Sequence, residues 1–211
     1  KVLEIDERWL NYVQVLQLPN VDVVLTDALT YDFNSLKSPT SQLIANIPYH
    51  ITTPLIQRIS DYKAKFSDCV MMIQKEMADR LMAPVGTKLY GAISIFVGYH
   101  FTLSKGFDVA RTCFSPIPNV DSTVIRLQPK PSVLSQKDEA LFFLMTRSFF
   151  WGRRKTMGTC LKQSPHIQCN QTALANVPEP LKQQLKQRGE MLGLNDLLTL
   201  FNQLKGLDVF F

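Results

Sequence analysis

No glycine occurs before Gly86, although the 211-residue chain has nine of them. No two of its four cysteines, Cys69, Cys113, Cys160 and Cys169, stand as a Cys-x-x-Cys pair. His50, His100 and His166 do not cluster with them. That pattern excludes the usual zinc spacings, so no metal is expected, and reduced thiols in a cytoplasmic setting are the default. No apolar run reaches the ~20 residues that span a bilayer, and no signal-peptide pattern is present. There is no internal repeat and no low-complexity tract. A membrane partner, a metal centre and a disulfide scaffold are therefore not expected.

What is present suits a folded enzyme core with a basic appendage. Hydrophobic residues make up 45% of the chain, enough for a sizeable core. The net charge is +5. Residues 1–129 hold 12 Lys/Arg and 12 Asp/Glu, whereas residues 130–211 hold 11 and 6 and supply the whole excess. A neutral front and a basic back suit nucleic-acid binding by the second part, with simple solubility as the alternative.

The most informative stretch is Ala45-Asn46-Ile47-Pro48-Tyr49-His50-Ile51-Thr52-Thr53-Pro54-Leu55. The apolar run Leu43 to Ala45 predicts a short buried strand. Pro48 cannot donate to a ladder and moves Ile47 out of the α region, so the strand ends near Asn46. Thr52 or Thr53 can cap a helix that has Pro54 in its first turn. Open α/β sheets bind ligands at such strand-turn-helix junctions. Asn46 brings an amide, Pro48 a carbonyl aimed by the ring, and Tyr49 a flat aromatic face. An amide oxygen and a carbonyl together can accept both hydrogens of an exocyclic amine while the ring stacks on the base. That arrangement suits methyl transfer to an adenine or cytosine. From these residues alone, an ordinary turn with a stacked tyrosine is the alternative.

Other candidates lie on either side. Val2 to Ile5 predicts a strand with Glu4 near its end, where a carboxylate can hold both ribose hydroxyls of a nucleoside or simply be a solvated edge residue. Asp6 to Leu16 predicts a helix, with Trp9, Leu10, Val13 and Leu16 at helical spacing. Val21 to Thr26 predicts a strand ended by Asp27 and Ala28; Asp27 either reads an adenine amine or caps the next segment. Leu55 to Ile59 predicts a helix and Cys69 to Ile73 a strand. A helix then runs through Arg80, with a Glu76–Arg80 surface ion pair expected at i, i+4. Tyr90 to Phe101 predicts a helix; Phe107 to Ala110 and Ser122 to Leu127 predict strands. Between those strands Pro116 and Pro118 stiffen a loop that holds Phe114, either against a base opposite Tyr49 or in the core. Pro129 to Lys137 predicts a linker between residues 1–128 and a helical region over 138–211. That region has helices at Asp138 to Phe150, Leu181 to Arg188 with Gly189 as C-cap, and Asn195 to Leu204. Arg153-Arg154-Lys155 beside Trp151 suits phosphate contact, or is a solvated helix end.

In order along the chain, these motifs resemble those of the ribosomal RNA adenine dimethyltransferase family. The resemblance runs from Val2 to about Leu204. It rests on Asn46 to Leu55, Gln74-Lys75-Glu76, Phe114 to Ser122, Arg153-Arg154-Lys155 and Arg188-Gly189-Glu190. It implies an α/β, Rossmann-like methyltransferase domain followed by a small all-helical RNA-binding domain. It implies S-adenosylmethionine as cofactor and dimethylation of two adjacent adenines in small-subunit (16S) rRNA, by a monomer acting on the immature small ribosomal subunit. It also implies roles. Glu4 takes the cofactor's ribose, Asp27 and Ala28 its adenine, and Asn46 borders cofactor and amine. Asn46 and the Pro48 carbonyl orient the amine, Tyr49 and Phe114 hold the base, and Arg153, Arg154 and Lys155 contact RNA. The sequence departs from the family at His50, where a second Asn is usual, and at Gly193, where a Ser usually caps the last helix. A nucleotide-type α/β fold also needs a Gly-rich turn after its first strand, so an N-terminal strand, loop and helix are expected to be missing. Two other readings share features with this one. The resistance methyltransferases of large-subunit rRNA have the same Asn-x-Pro-Tyr core, but Val120-Asp121-Ser122 and the basic triplet favour the small-subunit branch. A non-catalytic RNA- or DNA-binding relative has no need of Glu4, Asp27 and Asn46 together.

Overall fold

The computed structural model describes residues 1–38 and 40–210. Strands β1 (Val2–Glu4) and β2 (Val23–Leu25) pair in parallel, with Val2 opposite Val23 and Glu4 opposite Leu25. Helix α1 (Glu7–Val15) connects them, and the Asp6 side chain caps it by accepting from the Arg8 amide at 2.9 Å. The expected apolar stripe of α1 is not buried. Only Leu10 is covered, and Trp9 is 60% exposed. Two short strands offer too little surface to cover more.

A second sheet has the order β3-β4-β6-β5. Strand β3 (Ser41–Asn46) runs parallel to β4 (Phe66–Gln74). Strand β6 (Ser122–Pro129) is antiparallel to both β4 and β5 (Phe101–Val109). The central strand β4 buries Cys69, Met71 and Ile73 completely. By contrast β3 is an edge, so it alternates half-buried and exposed residues, and Ile44 is 84% exposed. The run Leu43 to Ala45 is therefore not the fully buried strand expected of it: apolar composition does not distinguish an edge from a centre.

After β3 comes a 3-10 turn, Tyr49–Ile51, and then α2 (Thr52–Asp61). Neither threonine caps this helix. The N-cap is Ile51, without a side-chain cap, because the 3-10 turn leads straight into the helix and places Thr52 inside it. On α3 (Lys75–Leu81) Glu76 and Arg80 are both exposed, and no ion pair joins them among the described residues. An exposed pair contributes ~0–1 kcal/mol, too little to order two long side chains.

Helix α4 (Ala92–His100) runs directly into β5 at Phe101. Sequence alone merged that residue with the helix because α4 is apolar on both sides. Its Ile95 and Tyr99 join one core cluster, and Val97 and the following Phe101 join another. The sheet cluster contains Ile56 and Ile59 of α2 with Met71, Ile125 and Leu127. The helical cluster is built from α5 (Gln136–Trp151), α6 (Met157–Gln163), α7 (Gln171–Ala175), α8 (Glu179–Leu185) and α9 (Leu194–Gly206) around Phe142, Phe149, Leu200 and Phe201. Helix α8 stops at Leu185, so Gly189 is not its C-cap; it opens a 3-10 turn, Gly189–Met191, and is buried. The reason is close packing: a Cβ on Gly189 would lie 2.7 Å from Phe149 Cβ. Gly193 does cap α9, its amide donating to Asp196 Oδ2 at 3.2 Å.

Where the two clusters meet, His100 is buried. Lys63 Nζ lies 3.2 Å from its Nδ1. An ammonium only donates, so Nδ1 accepts and the ring proton sits on Nε2, which faces Glu139 Oε1 at 3.8 Å. Burial pulls the His100 pKa down to about 4; Lys63 and Lys130 add to the effect and Glu139 opposes it.

Two stability measurements follow from this packing. Gly189→Ala places a methyl group against a rigid backbone-proximal atom and should destabilise the fold by about 1–3 kcal/mol, read as a lower urea midpoint. His100 has a folded pKa below its ordinary 6.5, so its contribution is complete above pH 6.5 and is lost as pH falls towards 4. Between those pH values the native protein should lose on the order of 3 kcal/mol more than His100→Gln. Parallel acid dependences of the two urea midpoints would refute a neutral His100.

Candidate active site

Asn46 is the last residue of β3, and the chain leaves the sheet there in an extended conformation, with Pro48 at φ −56°, ψ 133°. The Ile51 amide donates to the Pro48 carbonyl at 3.1 Å. That bond fixes the carbonyl's direction and leaves one of its lone pairs open. Asn46, Pro48 and His50 are exposed and Tyr49 is half-buried. The Tyr49 hydroxyl lies 2.8 Å from Ser122 Oγ. Ser122 is fully buried at the start of β6, where it pairs with Gln74 of β4 and Val109 of β5. One hydrogen bond thus ties the turn after β3 to the adjoining ends of β4, β5 and β6.

Phe114 lies on the loop between β5 and β6, so it leaves the sheet at that same end. It follows a 3-10 turn, Arg111–Cys113, and is half-buried. The loop is anchored by the Arg111 amide, which donates to Asp121 Oδ1 at 3.0 Å, and by Arg111 Nη1, which donates to the Asn119 carbonyl at 3.2 Å. No ring contact joins Phe114 to Tyr49 among the described residues. The role of Ser122 escaped sequence reasoning. Its only signal was a small hydroxyl at the first position of a strand, inside the Phe114 to Ser122 motif.

Glu4 and Asp27 stand at the carboxyl ends of β1 and β2. Glu4 Oε1 accepts from the amides of Ile5 and Asp6 at 2.8 and 2.9 Å, and Asp27 Oδ1 accepts from the Leu29 amide at 2.8 Å. Each carboxylate keeps its second oxygen without a partner among the described residues. A cavity of about 440 Å³ opens between this layer and β3, lined by Leu3, Ala28, Leu43, Ala45, Asn46 and Ile47 among others. Its volume falls in the range of small-molecule sites. Ala28 and Asn46 line the cavity directly; Glu4 and Asp27 are not among its lining residues, though each is next in sequence to one that is, Leu3 and Ala28. The open carboxylate oxygens of Glu4 and Asp27 are acceptors of the kind a nucleoside's hydroxyls and amine need, and Leu3, Ala28, Leu43, Ala45 and Ile47 give the mixed cavity wall apolar surface for its ring, so the residues present fit S-adenosylmethionine.

The basic triplet is arranged unequally. Arg153 Nη2 donates to the Tyr90 carbonyl at 3.3 Å and to Glu190 Oε2 at 3.1 Å, tying the end of α5 to the segments before α4 and α9. Lys155 Nζ lies 4.6 Å from the Trp151 ring centroid and donates to Gln163 Oε1 at 2.8 Å. Arg154 is exposed, with no side-chain partner among the described residues.

A family model described as ribosomal RNA adenine dimethylase matches residues 1–199. The chain belongs to the ribosomal RNA adenine dimethylase family. Among its relatives, the ribosomal RNA small subunit methyltransferase A of Streptococcus agalactiae serotype Ia is 35% identical over 218 residues, which cover 98% of this chain and 74% of the relative. The protein of the same name from Bacillus mycoides is 36% identical over 212 residues, 95% of this chain and 72% of the relative. A dimethyladenosine transferase from Plasmodium falciparum superposes with a TM-score of 0.80 at 27% identity, covering 99% of this chain and 82% of that one. The 23S rRNA methyltransferase ErmE shares the fold, with a TM-score of 0.65 at 23% identity over 96% of this chain and 80% of that one. The expected Rossmann-like methyltransferase fold with a helical C-terminal region is thus the observed one.

Within this dimethylase the groups shifted most by burial are cysteines of the core and His100. Burial pushes the Cys69 thiol up to about 12 and the Cys169 thiol up to about 11. The Tyr49–Ser122 bond should contribute about 1 kcal/mol. Tyr49→Phe and Ser122→Ala should each lower the unfolding free energy from urea titration by that much, and the double variant by little more than either. Fully additive losses would show that the hydroxyls do not interact.

Proposed function

We propose that this protein transfers methyl groups from S-adenosylmethionine to the exocyclic amines of two adjacent adenines in 16S rRNA, dimethylating each during small-subunit assembly. The observation that carries this reading is the exposed Asn46–Pro48–Tyr49 turn beside the cavity, in a chain whose family relatives are named small-subunit methyltransferases. The finer points of the proposal are a monomer, a cytoplasmic setting and the immature small subunit as substrate. No helix among the described residues is long and apolar enough to cross a membrane. Residues 1–128 form the catalytic part, and the helical region 138–211 contributes RNA contacts through Arg154, with Arg153 and Lys155 beside it.

Glu4 holds the cofactor's ribose hydroxyls, and Asp27 with Ala28 holds its adenine. The bound cofactor supplies an electrophilic methyl group on a sulfonium. The chain's own residues supply placement. In the first transfer Asn46 Oδ1 and the open lone pair of the Pro48 carbonyl would accept the two amine hydrogens, which fixes the direction of the nitrogen lone pair. The N–C bond forms as the C–S bond of the sulfonium breaks to leave a thioether, and one N–H proton passes to solvent. In the second transfer the one remaining hydrogen bonds a single acceptor. The half-buried Tyr49 ring, held by Ser122, stacks on one face of the flipped base, and Phe114 bounds the other. Neutral acceptors aimed at an amine that gains positive charge also stabilise the transition state electrostatically. No metal and no covalent protein intermediate are needed in this scheme.

The direct test is transfer of radiolabel from S-adenosylmethionine to immature small subunits, with Asn46→Ala in parallel. Label should appear in two adjacent adenines of 16S rRNA. Asn46→Ala should lower the rate by about 10²–10³, the loss typical of one preorganised polar group. Label confined to large-subunit RNA, or none despite tight RNA binding, would overturn the assignment.

A further inference from the structure

The basic triplet lies in a turn that is held from both sides. Residues 152–155 connect α5 to α6, which Thr156 caps. Beyond the turn, the Met157 amide donates to the Gln187 carbonyl at 2.8 Å. Within it, the Lys155 amide donates to the Gly152 carbonyl at 2.7 Å, and the Lys155 ammonium folds back over Trp151 to Gln163. Arg153 is drawn to other partners. Its Nη2 serves both the Tyr90 carbonyl and Glu190 Oε2. Arg154, between these two engaged cations, is the one whose side chain has no partner among the described residues.

The groups that hold Arg153 are themselves fixed. The Glu190 carbonyl accepts from the Gly86 amide at 2.8 Å, and the Glu190 side chain is only 21% exposed. Tyr90 is buried; its hydroxyl donates to the Leu192 carbonyl at 3.1 Å, and its ring meets Phe150 edge-on at 5.9 Å. Gly189, next to Glu190, is packed against Phe149 near the end of α5. An ion pair whose arginine is 43% exposed contributes little to stability. It does restrict the turn. A cation already held in its binding direction loses less freedom when it meets a phosphate than one that must be ordered on contact.

We propose that Glu190 is a positioning residue for RNA binding: through Arg153 it braces the 152–155 turn so that Arg154 faces an rRNA phosphate. This rests on the rRNA methyltransferase reading given above. It divides the triplet into one phosphate contact and an internal brace. It also gives a carboxylate a favourable part in binding a polyanion, the reverse of what its charge alone would do.

The test measures binding to immature small subunits over a range of salt concentrations. It compares the native protein with Glu190→Ala, Glu190→Gln, Arg153→Met and Arg154→Met. Glu190→Ala should weaken binding about three- to tenfold, the cost of ordering one side chain that had been held beforehand. Glu190→Gln keeps an acceptor for Arg153 and should lie closer to native. Arg154→Met should lower the slope of log affinity against log salt by about 0.7–0.9, as one lost phosphate contact does. Arg153→Met should weaken binding with the slope unchanged, and adding Glu190→Ala to it should have no further effect. Thermal midpoints should change little. Native or tighter binding by Glu190→Ala would overturn the brace, since loss of a repelling charge would then be its whole effect. So would a slope lowered as much by Arg153→Met as by Arg154→Met, or additive losses in the double variant. Methyl transfer by the native protein to the same subunits is the control. Its absence would count against the enzyme reading, whereas its presence with any of those three results would overturn the brace alone.

Discussion

The register of β4 is the constraint on which the candidate site depends. Its parallel pairing sets Asn46 opposite Met72, and its antiparallel pairing sets Gln74 opposite Ser122. A shift of one residue in either ladder would exchange buried for exposed faces along the strand. Cys69, Met71 and Ile73, completely buried at alternate positions, make that shift costly. With the register fixed, Asn46 and Ser122 reach the same end of the sheet, and the Tyr49 hydroxyl can bridge the gap. The position of the candidate turn is thus set by apolar side chains inside the sheet.

The site was more legible in the sequence than the packing around it. Pro48 and Pro54 impose local geometry by covalent structure, so the strand, turn and helix around Asn46 could be placed from a few residues. Ile44 and Trp9 were misjudged because burial depends on what lies opposite, and a residue's own hydrophobicity does not record its neighbours. Phe101 was assigned to the helix before it because α4 is covered by two cores and has no polar face to mark its phase or its end. Gly189 was taken as a helix cap on the usual preference for glycine there, whereas Phe149 is what requires it. Short α6 and α7 gave too few turns for a period to be recognised. In each case a long-range contact decided the outcome.

Charge shows the same distinction between composition and placement. The excess of cations in residues 130–211 predicts where RNA binds, but a formal charge engaged within the protein is not fully available to a phosphate. Arg153 is held by Glu190 and the Tyr90 carbonyl, and Lys205 by Asp138 Oδ1 at 2.6 Å. Around the Asn46 turn the neutral first part still presents Lys75 and Lys105, two cations sharing one carboxylate. A charge-balanced sequence can therefore present a locally positive rim, and RNA binding need not follow the half of the chain with the larger sum.

Exposure of the turn has a consequence for the chemistry. Asn46 and Pro48 face water in this structure, where their acceptors are solvated and electrostatic effects are weak. Orientation of an amine by two neutral acceptors gains strength only once water is displaced. A small substrate such as free adenine would leave most of the surrounding surface wet. A structured RNA can cover it, with a flipped base between Tyr49 and Phe114 and the flanking strand over the rim. Binding energy from parts of the RNA remote from the amine would then be converted into desolvation and alignment at the reacting nitrogen, so that truncating the RNA should lower turnover as well as affinity. On this view selectivity for a ribosomal substrate and catalytic power have the same physical origin: the site is completed by the molecule it modifies.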